Sequence, residues 1–410
     1  MNKFKLFSIL IISTLLGDIP IATHARDEPD EFDHILFLPL AVNIIHGTAP
    51  DDYLVLLNPD GSSEVNFDAD VWAPGGVATM LVQPDGNILV AGQFSTLDHP
   101  DISIARLTPS GDFDFEFMPR TFGQVYAMAL QPDGKIIVGG DFTAIDGVGR
   151  NRIARLTSSG DLDTTFEPGT GSDAAVQAVA VQGDGKIIIG GVFKNVAGVP
   201  IDSIARLNHN GTLDTSFQPD IQVDIQNGDG VTVINAMEDG RILVGGWFLV
   251  NNTNGLPAVR LNADGSLDTS FDASDLFGST NCWAIQDDGK IILGGNFNKR
   301  DEYGIGDVMR IDSDGDFDNT FEPYKFNYSF YFSTWVHAIL IENSGKVLIG
   351  GGLLSYPFGI YYYELVRLRP DGVEEKHFDP MFESPSGVKS VETLAGYFDD
   401  QILVGGTTNP

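Results

Sequence analysis

Two short blocks alternate along this chain, and nothing else in the sequence restricts its fold as strongly. The first reads Asp-Gly-Lys-Ile-Ile-Val-Gly-Gly-x-Phe. It occurs at Asp85–Phe94, Asp133–Phe142, Asp184–Phe193, Asp239–Phe248 and Asp288–Phe297, with weaker forms at Ser344–Leu353 and Asp400–Gly406. The second reads Arg-Leu-x-x-x-Gly-x-x-Asp-x-x-Phe. It covers Arg106–Phe117, Arg155–Phe166, Arg206–Phe217, Arg260–Phe271, Arg310–Phe321 and, with Glu375 for Asp, Arg367–Phe378. A seventh copy, Leu56–Phe67, has Leu for Arg and Glu64 for Asp. A fixed period in this range is the mark of an array whose units bury a face against their neighbours.

The blocks predict local structure. Val125–Gln131 is short and apolar, Pro132-Asp133-Gly134 supplies a tight turn, and Ile136–Gly140 is a β-branched strand. Arg152–Thr157 reads as a third strand, Ser158-Ser159-Gly160 as a second turn and Leu162–Phe166 as a short fourth strand. No helical periodicity and no low-complexity linker interrupts the repeats. Four short antiparallel strands per unit of about fifty residues predict an all-β chain, a β-propeller of four-stranded blades. The chain opens with a third-and-fourth-strand block, Tyr53–Phe67, and finishes with a first-and-second-strand block, Val388–Thr407. Pairing these termini would complete one blade, remove exposed sheet edges and give seven blades. Ile35–Leu40 is also strand-like, with Pro39 demoting it to an edge, and offers an extra strand or part of an eighth blade.

These paired blocks resemble the bacterial delta-60 repeat, a predicted β-propeller repeat. The resemblance spans residues 53–407 and implies a fold and a setting among exported bacterial proteins, not a chemistry. The Gly-Gly after the second strand is also similar to kelch propellers, whose Tyr and Trp positions are missing here. No Gly-His…Trp-Asp pattern recurs, so WD propellers fit less well.

Composition narrows the function. There are 24 Lys and Arg against 57 Asp and Glu, a formal charge of −33. Such a surface repels phosphate backbones and anionic lipid, which disfavours nucleic acid and membrane surfaces as partners. Lys3, Lys5, the apolar run Leu6–Leu16 and the small residues ending at Ala25 read as a signal peptide over residues 1–25. The remaining residues, 26–410, are read as a single propeller domain, secreted, periplasmic or at the cell surface, without membrane insertion. A monomer is the expected state. Cys282 is the only cysteine, so no intrachain disulfide forms and sheet packing must hold the fold.

Candidate sites divide into repeated and unrepeated residues. A residue recurring once per blade is a structural tie, because function breaks the symmetry of a ring of like units. The recurrent Arg is expected to pair with Asp114, Asp163, Asp214, Asp268 and Asp318, and the recurrent Phe to fill the core. Asp312, Asp314, Asp316 and Asp318 gather four carboxylates in seven residues, the hard-oxygen chemistry that calcium prefers. Their spacing does not match a helix-loop-helix calcium loop, and Asp-Gly turns arise for conformational reasons alone. Calcium is the one cofactor considered.

Asymmetry marks the working face. Turns between strands one and two, and three and four, are short and uniform; the connections on the opposite face vary greatly. Two aromatic stretches stand out there. One, read as a loop over Tyr324–Trp335, offers Tyr324, Tyr328, Tyr331 and Trp335. The other, read as a loop over Tyr356–Tyr363, offers Tyr356, Tyr361, Tyr362 and Tyr363. Such rings bind sugars or anchor protein interfaces, or pack together to plug a loop. No metal-ligand His pair, Gly-x-Ser-x-Gly elbow or phosphate loop appears. His337 reads as part of a channel wall, and Cys282 as a small buried hydrophobe. The leading expectation is a non-enzymatic scaffold that recognises a carbohydrate or a protein. The alternatives are an extracellular enzyme acting on glycans or lactones, and a surface-display module stiffened by calcium.

Overall fold

The computed structural model describes residues 54–64, 67, 69, 76–92, 102–219, 221–223, 230–250, 253–299, 302–322, 332–355, 360–375, 378 and 388–408. The signal-peptide reading of residues 1–25 and the strand-like Ile35–Leu40 lie outside them. Among the described residues, apart from one 3-10 turn at Phe398–Asp400, the regular structure is β, in seven antiparallel sheets and two small hairpins.

Sheet 1 comprises Val77–Val82, Ile88–Gly92 and Ile104–Leu107; sheet 2 Val125–Leu130, Ile136–Gly140 and Ile153–Leu156; sheet 3 Val176–Val181, Ile187–Gly191 and Ile204–Leu207. Sheet 4 comprises Val231–Ala236, Ile242–Val250 and Thr253–Leu261, with Gln222–Val223 beside the middle strand. Sheet 5 comprises Leu276–Ile285, Ile291–Lys299 and Glu302–Ile311; sheet 6 Phe332–Ile341, Val347–Ser355 and Ile360–Leu368. Sheet 7 joins the two ends of the described chain, Val388–Gly396 and Ile402–Thr408 with Leu54–Leu57, in the register Leu54↔Gly405 through Leu57↔Ile402.

In sheets 1, 2 and 3 the middle strands, Ile88–Gly92, Ile136–Gly140 and Ile187–Gly191, are buried along their whole length. A strand buried on both faces has to be apolar without alternation, which is how these segments read. Their glycines let the next sheet come close. Gly139 lies under Val176, Gly190 under Val231 and Ile234, Gly245 under Thr280 and Trp283, Gly294 under Val336 and Ile339, Gly350 under Val391 and Leu394, and Gly405 under Val77 and Met80. A Cβ on Gly190 would overlap Val231 Cγ1. Each first strand therefore packs against the first strand of the following sheet, and Val388–Gly396 packs against Val77–Val82.

The expected fourth strand is not formed. Where it should run, one bridge closes each unit, such as Leu156↔Leu162 and Leu207↔Leu213. The recurrent Asp ends the strand. Asp163 N–H bonds Arg155 O at 2.9 Å, Asp163 Oδ1 accepts Thr165 N–H at 2.9 Å, and Phe166 N–H bonds Asp163 O at 3.2 Å. That Asx-type turn takes the backbone out of the ladder. The described sheets thus have three strands and a bridged corner in place of the expected fourth strand; in sheet 4 alone a further short strand, Gln222–Val223, lies beside the middle strand.

Candidate ligand site on the first strands

The repeated polar residues are committed to holding sheets together. Arg155 Nε donates to Asp163 Oδ2 at 2.8 Å, Arg206 Nε to Asp214 at 2.8 Å, Arg260 Nε to Asp268 at 2.7 Å and Arg310 Nε to Asp318 at 2.7 Å. The same guanidinium lies over the recurrent Phe, with Arg155 5.0 Å from the Phe166 centroid. Its other arm crosses to the next sheet's turn: Arg106 Nη1 reaches Ser158 O, Arg155 Nη1 His209 O, Arg206 Nη1 Ala263 O, Arg260 Nη1 Ser313 O and Arg310 Nη1 Pro370 O. One side chain therefore satisfies a buried carboxylate, stacks on the core and staples two units.

A second cation arrives from the second strand. Lys135 meets Asp163 at 3.1 Å, Lys186 meets Asp214 at 3.0 Å and Lys290 meets Asp318 at 2.7 Å. Burial raises the pKa of each carboxylate, but hydroxyl and cationic donors outweigh it, leaving Asp163, Asp214, Asp268 and Asp318 well below the usual carboxylate range. In sheet 1 Asn87 stands in the cation's place and binds Asp85 at 2.8 Å instead. In sheet 6 the longer Glu375 takes Lys346 at 2.8 Å, while Arg367 turns to Glu342 at 2.7 Å and leaves its buried Nε without a hydrogen bond. In sheet 7, where Leu56 replaces Arg, Gln401 bonds Asn58 at 3.0 Å.

The four clustered carboxylates do not converge. Asp318 is held by Arg310, Lys290 and Thr320, and Asp312 faces Lys290 at 3.2 Å. Asp314 O accepts Asp272 N–H, and Asp316 O closes the turn to Asp312 N–H. Among the described residues no three His, Cys, Asp or Glu come together as metal ligands.

The aromatic residues are placed differently from expectation. Tyr324, Tyr328, Tyr331 and Tyr356 lie outside the described residues. Trp335 and Tyr361, Tyr362 and Tyr363 lie in strands, not loops, because the three strands of sheet 6 run on past their Gly-Gly pair. Trp335 pairs with Gly352, and Gly352 with Tyr363, so the two aromatics share one register line across a glycine.

A position that sequence reading overlooked is the β-bulge in each first strand. The ladder skips one residue at the corresponding place in each sheet, namely Ala78, Tyr126, Gln177, Thr232, Asn281, His337 and Glu392, and in sheet 7 it also skips Lys389. A bulge frees a side chain from the pleat and re-aims it. Each of these residues stands fourteen positions before the glycine that closes its first block, as Tyr126 does before Gly140 and Gln177 before Gly191. That constant offset was available in the sequence. Six of the seven are polar and no two are alike, whereas the flanking position is Val in every sheet but the fifth, which has Thr280.

The belt is connected from sheet to sheet. Thr232 Oγ1 donates to Thr280 O at 2.6 Å, Asn281 Nδ2 to Val336 O at 3.3 Å, and His337 Nδ1 lies 3.5 Å from Glu392 Oε2. Tyr126 donates its hydroxyl to Asp141 Oδ2 at 2.8 Å; burial and that carboxylate push the phenol up to about 12. Gln177 Oε1 is buried and has no hydrogen-bond partner. Ala78 is exposed, and the other six are half-buried. His337 thus belongs to this wall, and the neighbouring Cys282 is a partly buried thiol that burial pushes up. The bulges sit near the start of the short first strands and the end of the second, beside the variable connections. In sheets 5 and 6 the strands continue beyond the bulge, over Leu276–Ser279 and Phe332–Trp335.

Comparison with known proteins agrees with this architecture. The model described as "Domain of unknown function (DUF5122) beta-propeller" matches residues 83–117, 131–166, 182–217, 238–271 and 286–321. No curated protein matches the chain. Among solved structures, a GH74 xyloglucanase from Xanthomonas campestris is similar at TM-score 0.51 and 12% identity, over 82% of this chain and 51% of that one. Streptogramin B lyase is similar at TM-score 0.47 and 14% identity, over 87% of this chain and 98% of that one. A gluconolactonase from Xanthomonas campestris follows at TM-score 0.38 and 14% identity, over 83% and 100%. At such identities the likeness concerns fold alone. The five matched copies and the alternating blocks together make this chain a member of the DUF5122, delta-60-type β-propeller repeat family.

Proposed function

We propose that this protein is an extracytoplasmic, seven-bladed propeller that binds a carbohydrate at its channel mouth, on the face of the variable connections. Seven sheets, the terminal pairing Leu54–Leu57 with Ile402–Thr408, and the packing of Gly405 against Val77 support a closed ring. The observation that carries the function is the belt of bulge residues. In a repeat array, every position constrained by packing is the same in each unit; a polar position that differs in every unit is released from packing and free to serve recognition. Tyr, Gln, Thr, Asn, His and Glu supply the mixed donors and acceptors that a polyhydroxylated ring needs. The strands of sheet 6 continue past the bulge, and Trp335 and Tyr361–Tyr363 lie on that continuation, a sequence stretch rich in the rings that stack on sugars.

Residues 26–410 should give a coherent set of hits on a broad glycan array, with and without calcium. Replacing Trp335, Tyr361 and Tyr362 together should abolish them while leaving the melting temperature close to the parent's. No hit in either condition would discard the carbohydrate reading and turn the search to a protein partner by pull-down. A second reading, an enzyme on glycans or lactones, draws on the His337–Glu392 pair alone. Turnover of a glycan or lactone that is lost in His337→Gln would favour it.

A further inference from the structure

The Arg staple crosses five consecutive seams, each time to the carbonyl three residues after the next sheet's Arg: Ser158, His209, Ala263, Ser313 and Pro370. It fails at both seams of sheet 7. Towards sheet 7 the matching acceptor is Pro59 O, but Arg367 turns back to Glu342 of its own sheet at 2.7 Å and stacks on Phe378. From sheet 7 to sheet 1 the matching acceptor is Pro109 O, and Leu56 stands where the Arg would be. The Tyr397 hydroxyl donates to that same carbonyl instead, at 3.4 Å. The second cation is missing too: Gln401 stands where sheets 2, 3, 5 and 6 have Lys and sheet 4 has Arg241, so sheet 7 is the one sheet with neither cation. Its first turn is strained as well. In the other six sheets a Gly fills the left-handed position of that turn, with φ between 77° and 86°; in sheet 7 Asp400 takes it at 61°, next to Asp399 at 58°. Phe398 of the same turn lies against Gly86 and Pro109 of sheet 1 yet stays more than half exposed. The turn's tie to sheet 6 is an exposed bond, Asn343 Nδ2 to Asp400 Oδ1 at 2.7 Å.

We propose that sheet 7 is a clasp: the ring opens there, releasing Leu54–Leu57 from Ile402–Gly405, while sheets 1 to 6 stay folded. The inference rests on the closed-ring reading above. Local opening starts where the ties are fewest. Five seams carry a charge-assisted bond from a buried guanidinium, roughly twice as strong as a neutral one, whereas the seam from sheet 7 to sheet 1 carries one long neutral bond in its place. Leu54–Leu57 are buried, so the closed form dominates and opening is a minor excursion. The consequence reaches the belt. Glu392 of sheet 7 lies 3.5 Å from His337 of sheet 6, and release of the clasp parts that pair and opens the belt on one side.

Hydrogen exchange of residues 26–410, read by mass spectrometry, tests this. Amides of Leu54–Leu57 and Ile402–Gly405 are expected to exchange at least about tenfold faster than those of the matching strands of sheet 2, Ile153–Leu156 and Ile136–Gly140, the difference that one charge-assisted bond makes. Tyr397→Phe, which removes only the hydroxyl, should speed sheet 7 by about a further threefold and leave sheet 2 unchanged. Leu56→Arg combined with Glu64→Asp restores the repeat's own pair and its reach to Pro109 O, and should slow sheet 7 to the rate of sheet 2. Equal rates in the two sheets of the parent, or fast exchange in sheet 7 that neither variant alters, would overturn the clasp and leave the closed ring standing. Leu54–Leu57 unprotected from the earliest time, beside a protected Ile402–Thr408, would show the two ends unpaired and remove the closed ring, and the clasp with it.

Discussion

Sheets 3 and 6 are built from the same repeat and differ in how their second strand ends. In sheet 3 the chain leaves Gly191 and folds into a small hairpin, Asn195–Val196 with Val199–Pro200, which bridges to the incoming connector at Ser172. Its turn, Ala197-Gly198, has both residues at positive φ, 52° and 78°, the arrangement that matches strand twist. Sheet 2 repeats the device with Asp146-Gly147. In sheet 6 no such fold-back forms. The strands carry straight on to Ser355↔Ile360, placing Trp335 and three tyrosines above the level of the bulges. The ties differ in parallel. Arg206 holds Asp214 and Ala263 O, whereas Arg367 has lost its Nε bond to a residue one methylene too long. The difference teaches that the units with complete Arg ties and folded-back hairpins keep the regular repeat, while sheet 6 departs from it both in its tie and in its strand length.

Removing the arginine should separate the two sheets most clearly. Arg206→Ala strips Asp214 of its main partner, frees Ala263 O and unstacks Phe217, so a loss of about 3–5 kcal/mol in urea unfolding is expected. Arg367→Ala should cost markedly less, since that tie is already incomplete. Equal losses would break the comparison. Next in size is close packing: Gly190→Ala sets a methyl against Val231 and should cost about 1–3 kcal/mol. Gly183→Ala, with nothing near it, should be neutral by the same measurement.

Acid provides a third contrast. Asp163, Asp214, Asp268 and Asp318 have folded pKa values below the unfolded one, so the unfolded chain takes up protons first. Their stabilisation is present in full above the ordinary carboxylate pKa, near 4, and is lost as pH falls through that value towards the depressed ones. Asp163→Asn should therefore flatten the acid limb of a melting-temperature profile. Asp114→Asn, in the sheet where neutral Asn87 replaces the second cation, should flatten it less. The smallest effect expected is a gain. Thr280 is fully buried with its hydroxyl unpaired where six sheets have Val, so Thr280→Val should stabilise by about 1 kcal/mol in the same urea assay.

Much of this architecture could be read from residues alone, because the repeat reports packing. The glycines that end the second strand, the β-branched middle strand and the Arg–Asp–Phe spacing each describe a contact that recurs, and the structure contains the Arg–Asp contact in the first five sheets. The fourth strand was misjudged because Leu162–Phe166 has strand-like composition, while the hydrogen bonds of Asp163 turn the backbone. Trp335 and Tyr361–Tyr363 were placed in loops because strand length past the glycines depends on cross-strand pairing, which no local pattern encodes. The bulge belt escaped for the opposite reason. Its residues share no type, so a search for recurring residues passes over them, and only their fixed distance from the closing glycine marks them.

The central claim is that recognition sits at this unrepeated position. Its most direct test is the affinity of the strongest glycan-array hit for residues 26–410 and for Gln177→Leu, measured side by side with melting temperatures. Gln177→Leu removes an unpaired buried oxygen, so stability should hold or rise while affinity falls at least about tenfold, the loss of one well-placed hydrogen bond. Unchanged affinity in a stably folded variant would contradict the account.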